Sequence, residues 1–526
     1  MLAKSQSSLV SLYLNSNSIS GIDNLIFYTQ VNLQKLLLSN NNIKHISVNL
    51  FKNLGALEFV LLNNNNILLI DDYSFKHANA VKHLDLSHNC LHNITSYTFY
   101  GLRELEEFNL AYNKINYLKS KPFNTLKKLR SLNLSFNYIK ILHKDLFQKN
   151  LPISVLNIDS CEIESIENGV FDGLNNLKYL SLKNNSLKFN DLSLIDVPGL
   201  KTLILSYNIL DYLQVNSFAH LPLLEVLNLE HCNIEHVVQG AFSVNKYIVK
   251  LNLAQNIISM IPDNVFNALL AIYEFNISNN FLDYVPYNAL YNFTNLEVLD
   301  IADNLLPRIE ISGLEKLSKL KHLILRKNEL KLLSVRKKIE FKELITLDIS
   351  FNHLETIPEN ILLVFPNLQN FNVSNNDIIR IDFLLYHTKV SGFLITLDLS
   401  KNPIISWALQ TKETYNIYIH NDLCLMNDIF LDNVMICTCD KENAWVWIQD
   451  HPQIVKTNTI SCINDNYPKE KCNKPTISQV SVDKHKDNSV SVSWLIRNRT
   501  SIKALQLIYY GEKVNSKVGT YLYMSD

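Results

Sequence analysis

Apolar and polar positions along this chain follow one short form that returns about every 24 residues. In one copy Leu177, Leu180 and Leu182 are apolar, Tyr179, Ser181 and Lys183 are interleaved with them, and Asn184-Asn185 closes the segment. The form apolar-x-x-apolar-x-apolar-x-x-Asn fills nearly everything before residue 405. Its last Asn recurs at Asn17, Asn41, Asn65, Asn89, Asn113 and Asn137, each step being 24, and Cys161 takes the next slot. Asn185, Asn208, Cys232, Asn256, Asn280, Asn304, Asn328, Asn352 and Asn376 keep steps of 23 or 24, and Asn402 follows after 26. A fixed period of this kind predicts about seventeen stacked units. Leu180 and Leu182 lie two apart, so a strand turns both inward while Tyr179, Ser181 and Lys183 project the other way. Strands repeated at this interval predict a parallel sheet.

The other positions complete the coil. Asn offers an acceptor and two donors, enough to satisfy a tight turn between coils, where an unpaired buried group costs roughly 1–3 kcal/mol. Cys161 and Cys232 suit that slot as small buried residues with a weak donor. A second apolar set, such as Ile139, Leu142 and Phe147, or Ile163, Ile166, Phe171 and Leu174, fills the outer side of each coil. These residues resemble the leucine-rich-repeat family, in its long 24-residue extracellular type, over about residues 1–404. The resemblance implies an α/β-type curved solenoid, with a parallel β-sheet on the concave face and an irregular, short-helix convex side. A solenoid grows along one dimension, so 526 residues need not divide into several compact cores. The ninth unit is one residue short, with Pro198-Gly199 before Leu200, and Tyr386 to Gly392 insert about two residues after Asn376; both read as loop adjustments.

After Asn402 the pattern decays, with Thr414, Ile417, Ile419, Asp422 and Leu423 as a last eroded coil. Cys437-Thr438-Cys439, Trp445, Trp447, Cys462 and Cys472 follow. They resemble the carboxy-terminal cysteine cap of extracellular leucine-rich repeats, which implies disulfides Cys437–Cys462 and Cys439–Cys472. One Cys-x-Cys without a second paired knuckle is poor zinc spacing, which favours the disulfide reading. Cys90, Cys161 and Cys232 lie in different coils and are expected as thiols; Cys424 is either a further cap partner or an intermolecular one. From Lys474, Pro475 to Val482, Ser489 to Leu495 and Ile502 to Tyr510 read as strands around Trp494. They resemble the first half of a fibronectin type III domain, an incomplete all-β sandwich, with an immunoglobulin domain as the lesser reading because its paired Cys is not visible. The organisation is then a repeat array over 1–404, a cap over 405–473 and a partial sandwich over 474–526.

Composition narrows the function. A net charge of −1 argues against nucleic acid or an anionic membrane surface as general partners. With 11 glycines and no Gly-x-Gly-x-x-Gly or P-loop, a phosphate-binding cofactor site finds no support. Residues Met1 to Ser8 are polar and Leu9 already belongs to a repeat, so a leader and a capping unit are expected upstream. No apolar run of ~18 residues occurs, so a membrane anchor is expected only in a segment beyond Asp526. Neither a nucleophile elbow nor His-Glu-x-x-His is present, and His231 and His236 flank Glu235 at a spacing that suits solvated loops. No catalytic residue, cofactor or metal ligand is assigned.

Candidate binding residues lie on the outward strand positions. Tyr13, Leu37, Phe59 and Leu61 form an apolar patch in the first coils, which is either an interaction site or the contact for a missing cap. Asp300, Asp348 and Asp398, with His322 and Arg326, form a charged stretch suited to steering a protein ligand, although an ordinary solvated sheet reads the same way. Arg336-Lys337-Lys338, in a locally basic coil, are candidates for a sulfated glycan. Asn93, Asn133, Asn184, Asn276, Asn292, Asn372 and Asn498 stand in Asn-x-Ser/Thr sequons, which matter if the chain is secreted. The expected function is a non-catalytic extracellular or cell-surface adhesion and recognition receptor, binding a protein ligand or a second copy of itself on the concave face. The order of domains resembles fibronectin-leucine-rich transmembrane receptors. Toll-type receptors, a secreted matrix protein and an intracellular scaffold are the alternatives.

Overall fold

A computed structural model describes residues 9–118, 121–336, 339–379 and 396–403, together with the strand backbones within 428–497. The chain divides into two compact units, Met1–Ile272 and Tyr273–Asp526. That boundary falls inside the repeat array, at a place where the sequence period shows no break.

In the first unit each repeat contributes one three-residue strand. Ser11–Tyr13, Lys35–Leu37, Phe59–Leu61, His83–Asp85 and Glu107–Asn109 begin the series, which runs through Tyr179–Ser181 to Lys250–Asn252. Neighbours pair in parallel and in constant register, Leu12 beside Leu36, Leu36 beside Val60, Leu132 beside Leu156. The middle residue of each strand is the inward one. Leu180 and Leu182 are both fully buried, as the spacing predicts. Ser181, predicted to face outward, is buried too, because its hydroxyl donates to Asp159 Oδ1 of the preceding coil.

The asparagine slots form a continuous ladder of hydrogen bonds. Asn65 Nδ2 donates to the carbonyl of Leu38 in the coil before it at 2.9 Å and to Leu62 in its own coil at 3.1 Å. Its Oδ1 accepts the Ile43 N–H of the preceding coil at 3.0 Å. The residue just before each rung takes the left-handed backbone conformation, Asn40 at φ 57° and Asn64 at φ 54°, so the turn needs a residue that tolerates it. Cys161 keeps part of the pattern, its Sγ lying 3.2 Å from the Leu134 carbonyl. Burial pushes this thiol up to about 12, against the opposing effect of the Asn137 N–H.

Behind the sheet, phenylalanines at the same interval stack into a row. Phe27, Phe51, Phe75, Phe99 and Phe123 are buried, with Phe51 and Phe75 at 4.9 Å between ring centres and Phe99 at 6.4 Å from both neighbours. Gly101 beside this row sits at φ +114°, and a Cβ there would lie 2.2 Å from the Phe75 carbonyl oxygen, so only glycine fits. The row stops in the 23-residue ninth coil, where a short 3-10 helix, Phe189–Leu194, replaces the turn and Ile195 is the buried residue. It resumes at Phe218, Phe242 and Phe266 with 5.8 Å steps. Two-residue strands on the outer side, such as His45–Ile46 with Leu69–Ile70 and Ile141–Leu142 with Ser165–Ile166, pair into small parallel ladders that the period alone did not predict.

The second unit repeats the plan from Glu274–Asn276 through Val298–Asp300, His322–Ile324, Thr346–Asp348 and Asn370–Asn372 to Thr396–Asp398. Four-residue helices, Tyr287–Leu290 and Ile361–Val364, stand on its outer side. Asp428–Phe430 pairs in parallel with Thr396–Asp398, and Val434–Ile436 pairs in parallel with Ser461–Ile463. Thr476–Lys484 and Val490–Arg497 form an antiparallel pair with a register shift between Ser478 and Ser481. Cys424, Cys437, Cys439, Cys472, the Thr414 to Leu423 coil and the Ile502 to Tyr510 strand lie outside the described residues.

Candidate functional site

Constant register turns single residues into columns on the sheet face. In the first unit Tyr13, Leu37 and Leu61 stand beside one another in successive strands, and Phe59 lies in the parallel column. Tyr13 is 65% exposed, while Leu37, Phe59 and Leu61 are half-buried, so the sheet brings the four predicted residues into one apolar patch. Phe59 also packs against the His83 ring at 5.5 Å, and His83 Nδ1 lies 3.0 Å from Glu107. The patch therefore grades into the polar His83–Glu107 contact at its edge.

Beyond the patch the same column turns polar, and most of its side chains have a structural task. Asp85 Oδ1 accepts the Ser87 N–H at 2.8 Å, and Asn109, Asn133, Asn228 and Asn252 make the same bond to the residue two further on. A carboxylate or amide there ends the strand by capturing an N–H that leaves the ladder.

The second unit places Asp300, Ile324, Asp348, Asn372 and Asp398 in one column and His322 in the adjacent one, between Val298 and Thr346. Asp300, Asp348 and Asp398 each accept the N–H two residues on, at 3.0, 3.0 and 2.9 Å. These aspartates are strand-end acceptors before they are anything else. Burial pushes the Asp300 carboxyl above the usual carboxylate range; the Ala302 N–H and the Arg326 guanidinium pull the other way. Arg326 itself is exposed.

Three residues of the basic coil are compensated by the coil before it. Lys321 lies 3.0 Å from Glu297, Lys327 3.5 Å from Asp303 and Arg336 2.8 Å from Glu310. Lys337 and Lys338 lie outside the described residues. Among the sequons, Asn93 and Asn184 are exposed, Asn133, Asn276, Asn292 and Asn372 are half-buried, and Asn498 lies outside the described residues. Asn133, Asn276 and Asn372 hold their Oδ1 on Ser135, Ser278 and Ser374, the third residue of each sequon. Among the described residues no group of His, Cys, Asp and Glu could hold a metal ion, and no helix is long and apolar enough to cross a membrane.

One feature went unread in the sequence. The residues just before the ladder rungs are aromatic in three successive coils, and His88, Tyr112 and Phe136 stack with ring centres 4.2 and 4.1 Å apart. The signal was available as an aromatic immediately before Asn89, Asn113 and Asn137, but it is a single position in a 24-residue period.

Models of the leucine rich repeat match residues 7–67, 57–115, 198–257 and 246–306, and one of the BspA type leucine rich repeat region in six copies matches residues 92–225. No curated protein matches the sequence. Among solved structures, the chain is similar to the Toll–Spatzle complex of Drosophila in its glycosylated form, at 21% identity and a TM-score of 0.67, covering 87% of this chain and 66% of that one. A second structure of the same complex gives 19% and 0.62, covering 91% and 65%. A leucine-rich-repeat protein of Leptospira interrogans gives 22% and 0.57, covering 76% and 91%. The chain thus spans 66% and 65% of the length of the two Toll–Spatzle structures, and at these identities the likeness is one of fold. Period, register, asparagine ladder and sequence models agree: the chain is a leucine-rich-repeat protein.

Proposed function

We propose that this chain is the recognition part of a non-catalytic extracellular receptor, and that it captures a protein ligand on its sheet face. The observation that carries the reading is the patch of Tyr13, Leu37, Phe59 and Leu61, an apolar surface on a rigid sheet, rimmed by the His83–Glu107 pair. Apolar side chains held by strands lose little freedom on binding, which is what a protein hot spot requires. The Asp300, Asp348, His322 and Arg326 surface of the second unit supplies charge for steering, its aspartates retaining their strand-end bonds. A sulfated glycan on Arg336, Lys337 and Lys338 is a weaker candidate, because Glu310 already neutralises Arg336. The solved Toll–Spatzle complex of similar fold, a hub in Drosophila development and innate immunity, supports a signalling receptor as the alternative to adhesion. A secreted matrix protein is the third reading. The cysteine cap with Cys437–Cys462 and Cys439–Cys472, and the fibronectin-like region over 474–526, belong to the same proposal; the antiparallel pair Thr476–Lys484 and Val490–Arg497 is what the first hairpin of such a sandwich needs.

A display screen of extracellular proteins against the secreted chain tests this. A specific protein hit should lose at least about tenfold in affinity in the Leu37→Lys/Leu61→Lys variant, since each charge lands inside the apolar contact. Hits that bind both proteins equally would remove the sheet face as the site. Secretion carries its own check: glycosidase should lower the mass of the secreted chain, and Asn93→Gln should remove one step of that shift. An unchanged mass would count against the extracellular assignment.

A further inference from the structure

The aromatic row of His88, Tyr112 and Phe136 ends abruptly. Tyr112 covers one face of the Phe136 ring, and the next coil offers Ser160 at the equivalent position, with no ring to cover the other face. A cleft of about 350 Å³ opens there, lined by Tyr112, Phe136, Tyr138, Ser160, Glu162 and Lys114 among others. A larger one of about 540 Å³ adjoins it and shares Tyr138 and Glu162. The rings stand well into solvent, Tyr112 at 44%, Phe136 at 43% and Tyr138 at 49% exposed.

Two features set this place apart from an ordinary solvated flank. Exposed rings stacked in a row keep apolar area in water. Among the described residues, Glu162 has no cation in ion-pair range, although Glu164 and Glu167 just after it are paired with Lys140 at 3.2 Å and His143 at 3.0 Å. Lys114, the cation of the smaller cleft, follows Asn113, whereas Glu162 follows Cys161, two coils on. Two coils correspond to about 10 Å at the strand spacing of a parallel sheet, so the two charges mark opposite ends of the cleft.

We propose that the open face of Phe136 and the carboxylate of Glu162 together receive an arginine side chain from a protein partner. A guanidinium is planar, lies flat on an aromatic face and donates in a fork to a carboxylate, whereas an ammonium is a compact point charge that can sit over a ring but neither stacks on it nor forks onto a carboxylate. The arginine plane continues the ring row where Ser160 interrupts it. This contact lies apart from the sheet-face patch and stands or falls without it.

The test uses the full chain and four labelled peptides of one Gly/Ser sequence that differ in a central arginine, citrulline, lysine or alanine, read by fluorescence polarisation. The arginine peptide should bind about tenfold more tightly than the citrulline and lysine peptides. Glu162→Gln should bring the arginine peptide down to the citrulline level, and Phe136→Ser should bring it down to the lysine level. Ser already stands at position 160 in the equivalent backbone conformation, and circular dichroism checks that both variants fold. Leu37→Lys/Leu61→Lys should leave the peptide result unchanged, which separates this contact from the sheet face. No binding of the arginine peptide, equal binding of arginine and citrulline, or occupation of the cleft by a neutral oligosaccharide with the four peptides indistinguishable would overturn the proposal.

Discussion

Replacing Asn137 by alanine should cost the array about 3–5 kcal/mol, seen as a fall in the denaturant midpoint on urea titration. Asn137 is buried, and its Nδ2 donates to Leu110, Leu134 and Ser135 carbonyls at 3.1, 2.7 and 3.3 Å while its Oδ1 accepts the Ile115 N–H at 3.0 Å. Alanine leaves the Ile115 N–H without its acceptor in a place water does not reach, at roughly 1–3 kcal/mol, and takes one donor from each of three carbonyls that keep another, Leu110 from Asn113, Leu134 from the Cys161 thiol and Ser135 from the Tyr112 N–H. The natural cysteine at position 161 sets the comparison. Its sulfur lies 3.2 Å from the Leu134 carbonyl and 3.4 Å from that of Asp159, so a smaller, weaker donor is tolerated there. Asn137→Cys should therefore lose less than Asn137→Ala, and Cys161→Asn should be neutral or stabilising by about 1 kcal/mol. A loss under about 1 kcal/mol for Asn137→Ala would mean that the ladder is not what joins the coils.

Phe99→Ala should cost about 3–5 kcal/mol, the usual range for a buried phenylalanine emptied to alanine. The ring touches both neighbours in its row at 6.4 Å and meets Phe108 edge-on at 4.7 Å, so the cavity opens toward three coils at once. Because each repeat contacts only its neighbours, the damage should stay local. Hydrogen exchange should accelerate in the coils of Phe75, Phe99 and Phe123 and remain slow around Phe218 and Phe242. Phe99→Leu, which keeps most of the volume, should cost under about 2 kcal/mol. Uniform acceleration across the first unit would instead show it to be one cooperative block.

Much of the fold was legible because it is written in a strict period. The spacing of Leu180 and Leu182 set the inward face, and Asn41 to Asn402 marked the turns that close the coils. What escaped the period is what depends on direction rather than spacing. Asp300, Asp348 and Asp398 read as a charged surface, yet each carboxylate turns back to an N–H two residues on, a bond that depends on where the backbone leaves the strand. Ser181 read as an outward residue and is buried under a bond to Asp159. The phenylalanine row was half visible: Phe147 and Phe171 stood out as core residues, but only the stack shows that rings at one coil position touch from repeat to repeat. Of the candidate site, the apolar patch followed directly from register, since Leu37 and Leu61 are 24 apart. The cleft beside Phe136 did not, because it is made by the absence of a ring at Ser160.

Each rung of the ladder reaches backward. Asn65 holds a carbonyl 27 residues earlier and an N–H 22 residues earlier, both belonging to the turn already made. A coil is therefore latched only by its successor, and its hydrophobic filling is closed only when that successor packs on it. The lock has a direction along the chain, and removing a coil opens the one before it while leaving the latches further back intact.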